Sequence, residues 1–312
     1  MSSKLSIIVP CYNEEESIPL FYPEVEKTKE KMPDVEFEYW FINDGSSDNT
    51  LQELRNLHAQ DPQHVHFVSF SRNFGKEAGL FCGLQRATGD YVVVMDVDLQ
   101  DPPELLPKMH QLLSEGEYDC IGTRRADRAG EPPPIRSFFA HLFYKLINRI
   151  SDTTIVDGAR DFRMMTRQMI DAILAVKEYN RFSKGVFSWV GFKTKYLEYP
   201  NKERTAGTTS WSFWNLLQYS IDGIVAFSDV PPLNIAAFTG LFSFIGAGIA
   251  IIWIIIRAIL FGDPTSGWPS LVCIILFVSG IQLFCLGIVG KYIGKIFLEV
   301  KHRPLYIVKE EK

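Results

Sequence analysis

Several common signals are missing from the 312 residues. The five cysteines, Cys11, Cys82, Cys120, Cys273 and Cys285, form no CxxC pair, which excludes a zinc ribbon or a disulfide framework and leaves them as reduced packing residues. No GxxxxGK[ST] loop is present, and the first apolar run leads into Pro10-Cys-Tyr-Asn-Glu14 with no GxGxxG, so neither a P-loop nor a nicotinamide or flavin dinucleotide fingerprint is available. The net charge of −5 argues against nucleic acid as a partner. The run Leu5–Val9 is too short for a secretory signal. Charge itself is absent from Leu233 to Ile256, and again from Leu271 to Gly290.

Those two runs are 24 and 20 residues long and are joined by a short Gly/Pro/Ser/Trp turn over 262–270. About 20 apolar residues span a bilayer core, so the pattern predicts a transmembrane hairpin over 231–290. Beyond Gly290 come Lys291, Lys295, Lys301, Arg303, Lys309 and Lys312 against Glu299, Glu310 and Glu311, a tail of +3 that leaves −8 on residues 1–290. The positive-inside rule then puts the 291–312 tail and the large N-terminal domain, 1–230, on the cytoplasmic side of a multi-pass inner or plasma membrane protein. Two segments, Ile135–Ile150 and Trp211–Phe227, are amphipathic, basic or aromatic, and suit helices lying in the interface plane or, equally, core helices.

The N-terminal domain alternates β-branched apolar runs with helical patterns. Strands are expected at 5–9, 35–42, 65–70, 91–95 and 119–122, with helices at 14–31, 48–58, 75–87 and 103–114. Such alternation predicts an α/β domain, Rossmann-like, with a mostly parallel sheet and helices on both faces. Ligands of these sheets bind beyond the carboxyl ends of the strands, which here read PCYNE, NDGSSD, SRN and DVD.

The stretch VVVMDVDLQDPPE carries three aspartates in six residues. Asp101 before Pro-Pro-Glu reads as a helix N-cap. Asp96 and Asp98, two apart in an extended segment, point to one side, and with Gln100 they offer hard oxygens to a divalent cation. An EF-hand loop does not fit, because Asp101 stands where its glycine belongs. Mg²⁺ or Mn²⁺ held by one or two carboxylates ordinarily shares substrate phosphates, and a nucleotide-sugar diphosphate is the arrangement left open by the absent loops.

The segments IIVPCYNEEESI, FINDGSSDNT, SRNFGKEAGLFCGL, ATGDYVVVMDVDLQDP and RDFRMM, in this order, closely resemble the family 2 glycosyltransferases of GT-A fold. Within them the chain is similar to the polyprenyl-phosphate branch, which includes dolichyl-phosphate mannose synthases and bactoprenol glucosyltransferases, the latter ending in a membrane hairpin and basic tail. The resemblance implies that Pro10, Tyr12, Glu14 and Asp44 contact the nucleotide and that Asp96, Asp98 and Gln100 hold the metal. It implies that Arg124, Arg163 and Arg204 bind the acceptor phosphate, and that Asp98, Asp161 and Arg163 serve catalysis. The plain alternatives are a turn for Asp44, with Asp48 as a cap, and surface salt bridges for the arginines.

The expected reaction is inverting transfer of one sugar, glucose from UDP-glucose first, to a polyprenyl (undecaprenyl) phosphate. UDP-N-acetylglucosamine or GDP-mannose is the open alternative. The product would feed a flippase and a further glycosyltransferase in cell-surface glycan modification. A homo-oligomer is compatible with the apolar segments. The family's R-x-x-G-[ED]-[ST]-K loop reads Arg204-Thr-Ala-Gly-Thr-Thr-Ser210, lacking the acid and the lysine. A processive polysaccharide synthase would carry QxxRW and more spans, and a non-catalytic scaffold would have no need of an intact DxD motif.

Overall fold

The structure, a computed structural model, describes residues 3–125, 159–199 and 267–312, together with residue 156 and isolated residues within 236–260. The amphipathic segments 135–150 and 211–227, and Arg204, lie outside the described residues.

The chain runs β1 (Ser3–Cys11), α1 (Ile18–Lys29), β2 (Val35–Asn43), α2 (Thr50–Gln60), β3 (Val65–Phe70), α3 (Lys76–Arg86) and β4 (Tyr91–Val94). A 3₁₀ turn at Pro103–Leu105 leads into α4 (Leu106–Ser114). Then come β5 (Cys120–Arg125), β6 (Ala159–Thr166), α5 (Arg167–Ala175), α6 (Ser183–Trp189), β7 (Thr194–Tyr199), α7 (Trp268–Val300) and β8 (Val308–Glu311). All five strands and four helices expected in the N-terminal half are present. The first helix is shorter than expected because residues 12–17 form the turns that carry the site.

One eight-stranded sheet has the order β7-β5-β6-β4-β1-β2-β3-β8. Strand β1 pairs in parallel with β2 and β4, and β2 with β3. Residues Leu5 to Val9 are all buried, as a strand covered on both faces requires. One core layer joins α1, α2 and α4 to the sheet, with Phe21, Leu54 and Met109 at 0% exposure. The other joins α3, α5 and α6, through Leu80, Ile170 and Val186.

Because β1 has β2 on one side and β4 on the other, the crossovers diverge at its carboxyl end, the crevice where such sheets bind ligands. Strand β6 runs antiparallel to β4 with Val94 opposite Arg163, so residues 159–161 lie beyond the end of β4. This pairing brings the RDFR motif to the aspartates.

The sequence pattern gives 291–312 as a separate basic tail, and the structure differs. Helix α7 continues through Lys291, Lys295 and Glu299 to Val300. Val308–Glu311 then forms β8, antiparallel to β3 at the sheet's edge. Bidentate pairs of Arg55 with Glu310 and Arg86 with Glu311 fasten it. The tail's acids, counted only as charge, are what place it.

At 33 residues α7 is about 50 Å long, against a hydrocarbon core of about 30 Å. Phe277, Leu283, Phe284 and Leu286 are 62–71% exposed, and so large an exposed apolar surface suits lipid more than water. It is the one helix among the described residues long and apolar enough to cross a membrane. Described residues from Ala236 to Leu260 are individually helical, and the Cys285 thiol donates to the Ala236 carbonyl at 3.3 Å.

Candidate active site

The turn after β1 is built by side chains, with Asn13 in the left-handed region at φ 56°. Its amide donates to Ser46 Oγ at 2.9 Å, and its Oδ1 accepts from the Ser47 amide at 2.9 Å. The Glu14 amide donates to Thr50 Oγ1 at 2.8 Å, and Ser17 Oγ donates to the Glu14 carboxylate at 2.7 Å. Tyr12 is left 44% exposed beside them, following Pro10 at the end of β1.

Asp44 is buried, and its two oxygens accept the amides of Phe74 and Gly75 at 2.6 and 2.8 Å. Burial raises its pKa and those two amides offset only part of the rise. Gly45 follows at φ 65°, where a Cβ would stand 2.3 Å from the Arg72 carbonyl carbon. Glycine is therefore required for the close approach of the two loops. Asp44 thus holds the loop ahead of α3, a task the motif alone did not reveal. Asp48 accepts the Thr50 amide at 3.0 Å, but the N-cap position of α2 is taken by Asn49.

The aspartate cluster is not extended. Strand β4 ends at Val94, Val97–Asp98 is a turn, and Leu99 adopts φ 56°. Asp96 faces Lys76, the first residue of α3, whose ammonium donates to its two oxygens at 2.8 and 3.1 Å. The same ammonium lies 2.8 Å from Asp161 Oδ2. Burial disfavours the Lys76 charge, but Asp161 and Asp96 outweigh it and push the ammonium well above its ordinary range. Burial likewise works against the Asp161 carboxylate. Lys76 first, then Lys184 and Arg163, hold it well below the usual carboxylate range. Asp98, 7% exposed, accepts the Gln100 amide at 3.1 Å.

Asp101 is not a helix cap. The residues flanking the 3₁₀ turn and α4 make no side-chain cap, and Asp101 is 2% exposed. The left-handed turn at Leu99 sends its carboxylate inward. There Oδ1 accepts the Tyr199 hydroxyl at 3.0 Å and Oδ2 the Asp96 amide at 3.2 Å. Burial, and then the charge of Asp96, push its pKa up to about 6. Arg160 completes this set, donating to Gln100 Oε1 at 3.2 Å and to the Tyr199 oxygen at 3.3 Å.

Of the three predicted phosphate-binding arginines, the two described ones take separate partners. Arg124 pairs with Glu198 across β5 and β7, the surface salt bridge that was its plain alternative. Arg163 is 3% exposed, with its guanidinium 4.1 Å from the Phe187 ring centroid and bonded to the Arg160 carbonyl at 2.9 Å. Arg204 lies outside the described residues. Lys76, Arg160 and Tyr199 were not singled out from the sequence. Only Lys76 had a signal, its place in the quoted segment SRNFGKEAGL.

Asp96 and Asp98 offer hard carboxylate oxygens of the kind that suit a divalent cation. No cluster of three or more His, Cys, Asp or Glu fit to hold a metal occurs among the described residues. That donor set matches an ion which completes its shell with water and substrate phosphate.

The model of the family described as Glycosyl transferase family 2 matches residues 6–174. The chain belongs to glycosyltransferase family 2. The bactoprenol glucosyl transferase of Shigella phage SfV is 43% identical over 312 residues, 99% of either chain. The prophage bactoprenol glucosyl transferase homolog of Escherichia coli K12 is also 43% identical over 99% of either chain. Among solved structures, a mannosyltransferase of Pyrobaculum calidifontis in complex with GDP-Man and Mn²⁺ overlaps loosely, at 15% identity and a TM-score of 0.47 over 94% of this chain and 88% of its own. The protein is thus a glycosyltransferase, on an α/β domain with a mostly parallel sheet and an apolar C-terminal helix.

Proposed function

We propose that this glycosyltransferase moves one glucose from a nucleotide-sugar, UDP-glucose first, to the phosphate of a membrane polyprenyl lipid, with inversion at the anomeric carbon. The observation that carries the reading is the 43% identity, end to end, with bactoprenol glucosyl transferases. Helix α7 and the apolar run at 233–256 would form a hairpin that keeps the catalytic domain against the bilayer, where the acceptor's effective concentration is high.

Asp96 and Asp98, with Gln100, would hold Mg²⁺ or Mn²⁺, whose chemistry is neutralisation of the departing nucleoside diphosphate. Lys76 would pass from Asp96 to the donor's diphosphate, leaving Asp96 open. Tyr12 and Glu14 would meet the nucleoside, with Asp44 fixing the loop at 74–75. Asp161 keeps its proton off while paired with Lys76, and its role here is to orient Lys76 or the sugar. A phosphate monoester has a second pKa near 6 and is largely dianionic at neutral pH. Attack therefore needs position and charge neutralisation more than a general base.

The test is incubation of the purified protein in lipid with labelled nucleotide-sugars, polyprenyl phosphate and Mn²⁺. A lipid-linked monosaccharide formed from UDP-glucose and lost on adding EDTA is expected. A polymer, or no product from any donor, would sink the reading. Transfer from GDP-mannose alone would replace glucose by mannose.

A further inference from the structure

A cavity of about 320 Å³ opens where α7 meets the catalytic domain. Arg72 and Phe74 line it from the loop after β3, Glu77 from α3, Asn180 and Arg181 from the loop before α6, and Lys295 from α7. Three cations therefore share the wall with one carboxyl group. That carboxyl accepts the Ser183 amide at 3.0 Å and also the Ser183 hydroxyl, and burial raises its pKa. Arg72 makes no ion pair among the described residues and lies 4.0 Å from the centroid of Phe74. Arg181 is 8% exposed, and its buried Nε has no hydrogen-bond partner among the described residues.

The wall is fixed to the membrane helix. Glu299 accepts the amides of Tyr179 and Asn180, each at 3.0 Å, and Lys295 donates to Asn180 Oδ1 at 3.0 Å. These contacts lie on the last turns of α7, beyond its charge-free run, where headgroups would begin if that run spans the hydrocarbon core.

The acidic centre is a poor first landing place for a dianion. Asp96, Asp98, Asp101 and Asp161 stand there, and Lys76 is paired with two of them. The cavity, with three cations to one carboxyl group, shares the first turn of α3 with that centre. Glu77 is the chain neighbour of Lys76, and consecutive α-carbons are about 3.8 Å apart.

We infer that this cavity docks the phosphate of the lipid acceptor, gripped by Arg72 and Lys295, with Phe74 against the first carbons of the chain. The inference rests on the reading that a polyprenyl phosphate is the acceptor, and it supplies the cationic site that Arg124 and Arg163 do not.

The experiment measures binding of polyprenyl phosphate to the full-length protein in phosphatidylcholine nanodiscs, beside the transfer assay. Arg72→Gln and Lys295→Gln should each raise the Kd for the lipid about tenfold, the loss of one charge-assisted contact. Arg72→Lys should restore most of the affinity. The KM for the donor should move less than about twofold on the same scale, with an unchanged melting temperature. Wild-type affinity in both glutamine variants overturns the inference, as does an equal shift in donor KM. If phosphatidylglycerol displaces the lipid phosphate from wild type but not from Arg72→Gln, the cavity serves bulk headgroups and the inference also falls. A wild type that binds the lipid yet transfers no sugar sinks the proposed reaction and leaves the cavity assignment standing.

Discussion

Lys76 links the aspartate motif to the acid on β6. Its ammonium sits at 2.8 Å from Asp96 and from Asp161, the position from which a divalent ion held by Asp96, as proposed, would have to displace it. In the absence of donor, Lys76→Met should therefore bind Mn²⁺ several-fold more tightly than wild type, as electron paramagnetic resonance of the free ion would measure. Equal affinities would mean that the ammonium does not compete. Asp101 is the second decisive residue. Its truncation to alanine strands the Tyr199 hydroxyl and the Asp96 amide, so Asp101→Ala should cost about 2–3 kcal/mol in chemical unfolding. A helix cap would cost about 1 kcal/mol, and a loss that small would return Asp101 to the cap. The sequence singled out Asp96, Asp98 and Asp161 because their motifs are local. Asp-Pro-Pro-Glu does open a helix, but Asp101 looked like its cap because nothing local reports the left-handed turn at Leu99. Lys76 and Arg160 owe their roles to the antiparallel pairing of β6 with β4, a contact between distant segments that no periodicity encodes.

At the scale of elements, the βαβ alternation was readable because strands buried on both faces leave unbroken apolar runs. The end of the chain was not. A four-residue strand of mixed charge, Val308–Glu311, carries no apolar alternation, and ladder hydrogen bonds to β3, with the acids that meet Arg55 and Arg86, seat it there. Helix α7 meets the catalytic domain through Glu299 and Lys295, and the Glu299 carboxylate takes two backbone amides. Glu299→Gln should weaken charge-assisted bonds to two successive amides. Hydrogen exchange at Tyr179 and Asn180 should then speed up at least about tenfold, with little change in the core strands. Uniform exchange across the domain would show that the contact is global and not local.

The whole molecule carries a buried acid far from the crevice. Glu38 is 4% exposed, and Ser6, Thr88 and Lys4 surround it near the amino-terminal ends of β1 and β2. Burial alone would raise its pKa, but the hydrogen bonds from Ser6, Thr88 and Lys4 outweigh burial and leave it lowered. A carboxyl lowered in the folded state binds fewer protons than in the unfolded chain. Its contribution is full above the unfolded value of about 4.3 and is lost as pH falls through the folded one. Melting temperatures followed from pH 6 to pH 3 should fall more steeply for wild type than for Glu38→Gln. Parallel curves would remove Glu38 as a source of acid lability.

The placement of β8 also sets an order of events in the making of the protein. Strands β1 to β7 and their helices emerge first, with the outer edge of β3 bare. The strand that covers it lies beyond α7 in the chain, so the sheet is completed only after that helix has been laid down. If α7 spans the bilayer as proposed, a chain whose helix threaded in the opposite sense would strand β8 on the far side. Its catalytic domain would be left one strand short, with an open edge for chaperones and proteases to recognise. Under that reading, the last strand of the sheet reports whether the helix before it was inserted in the right sense.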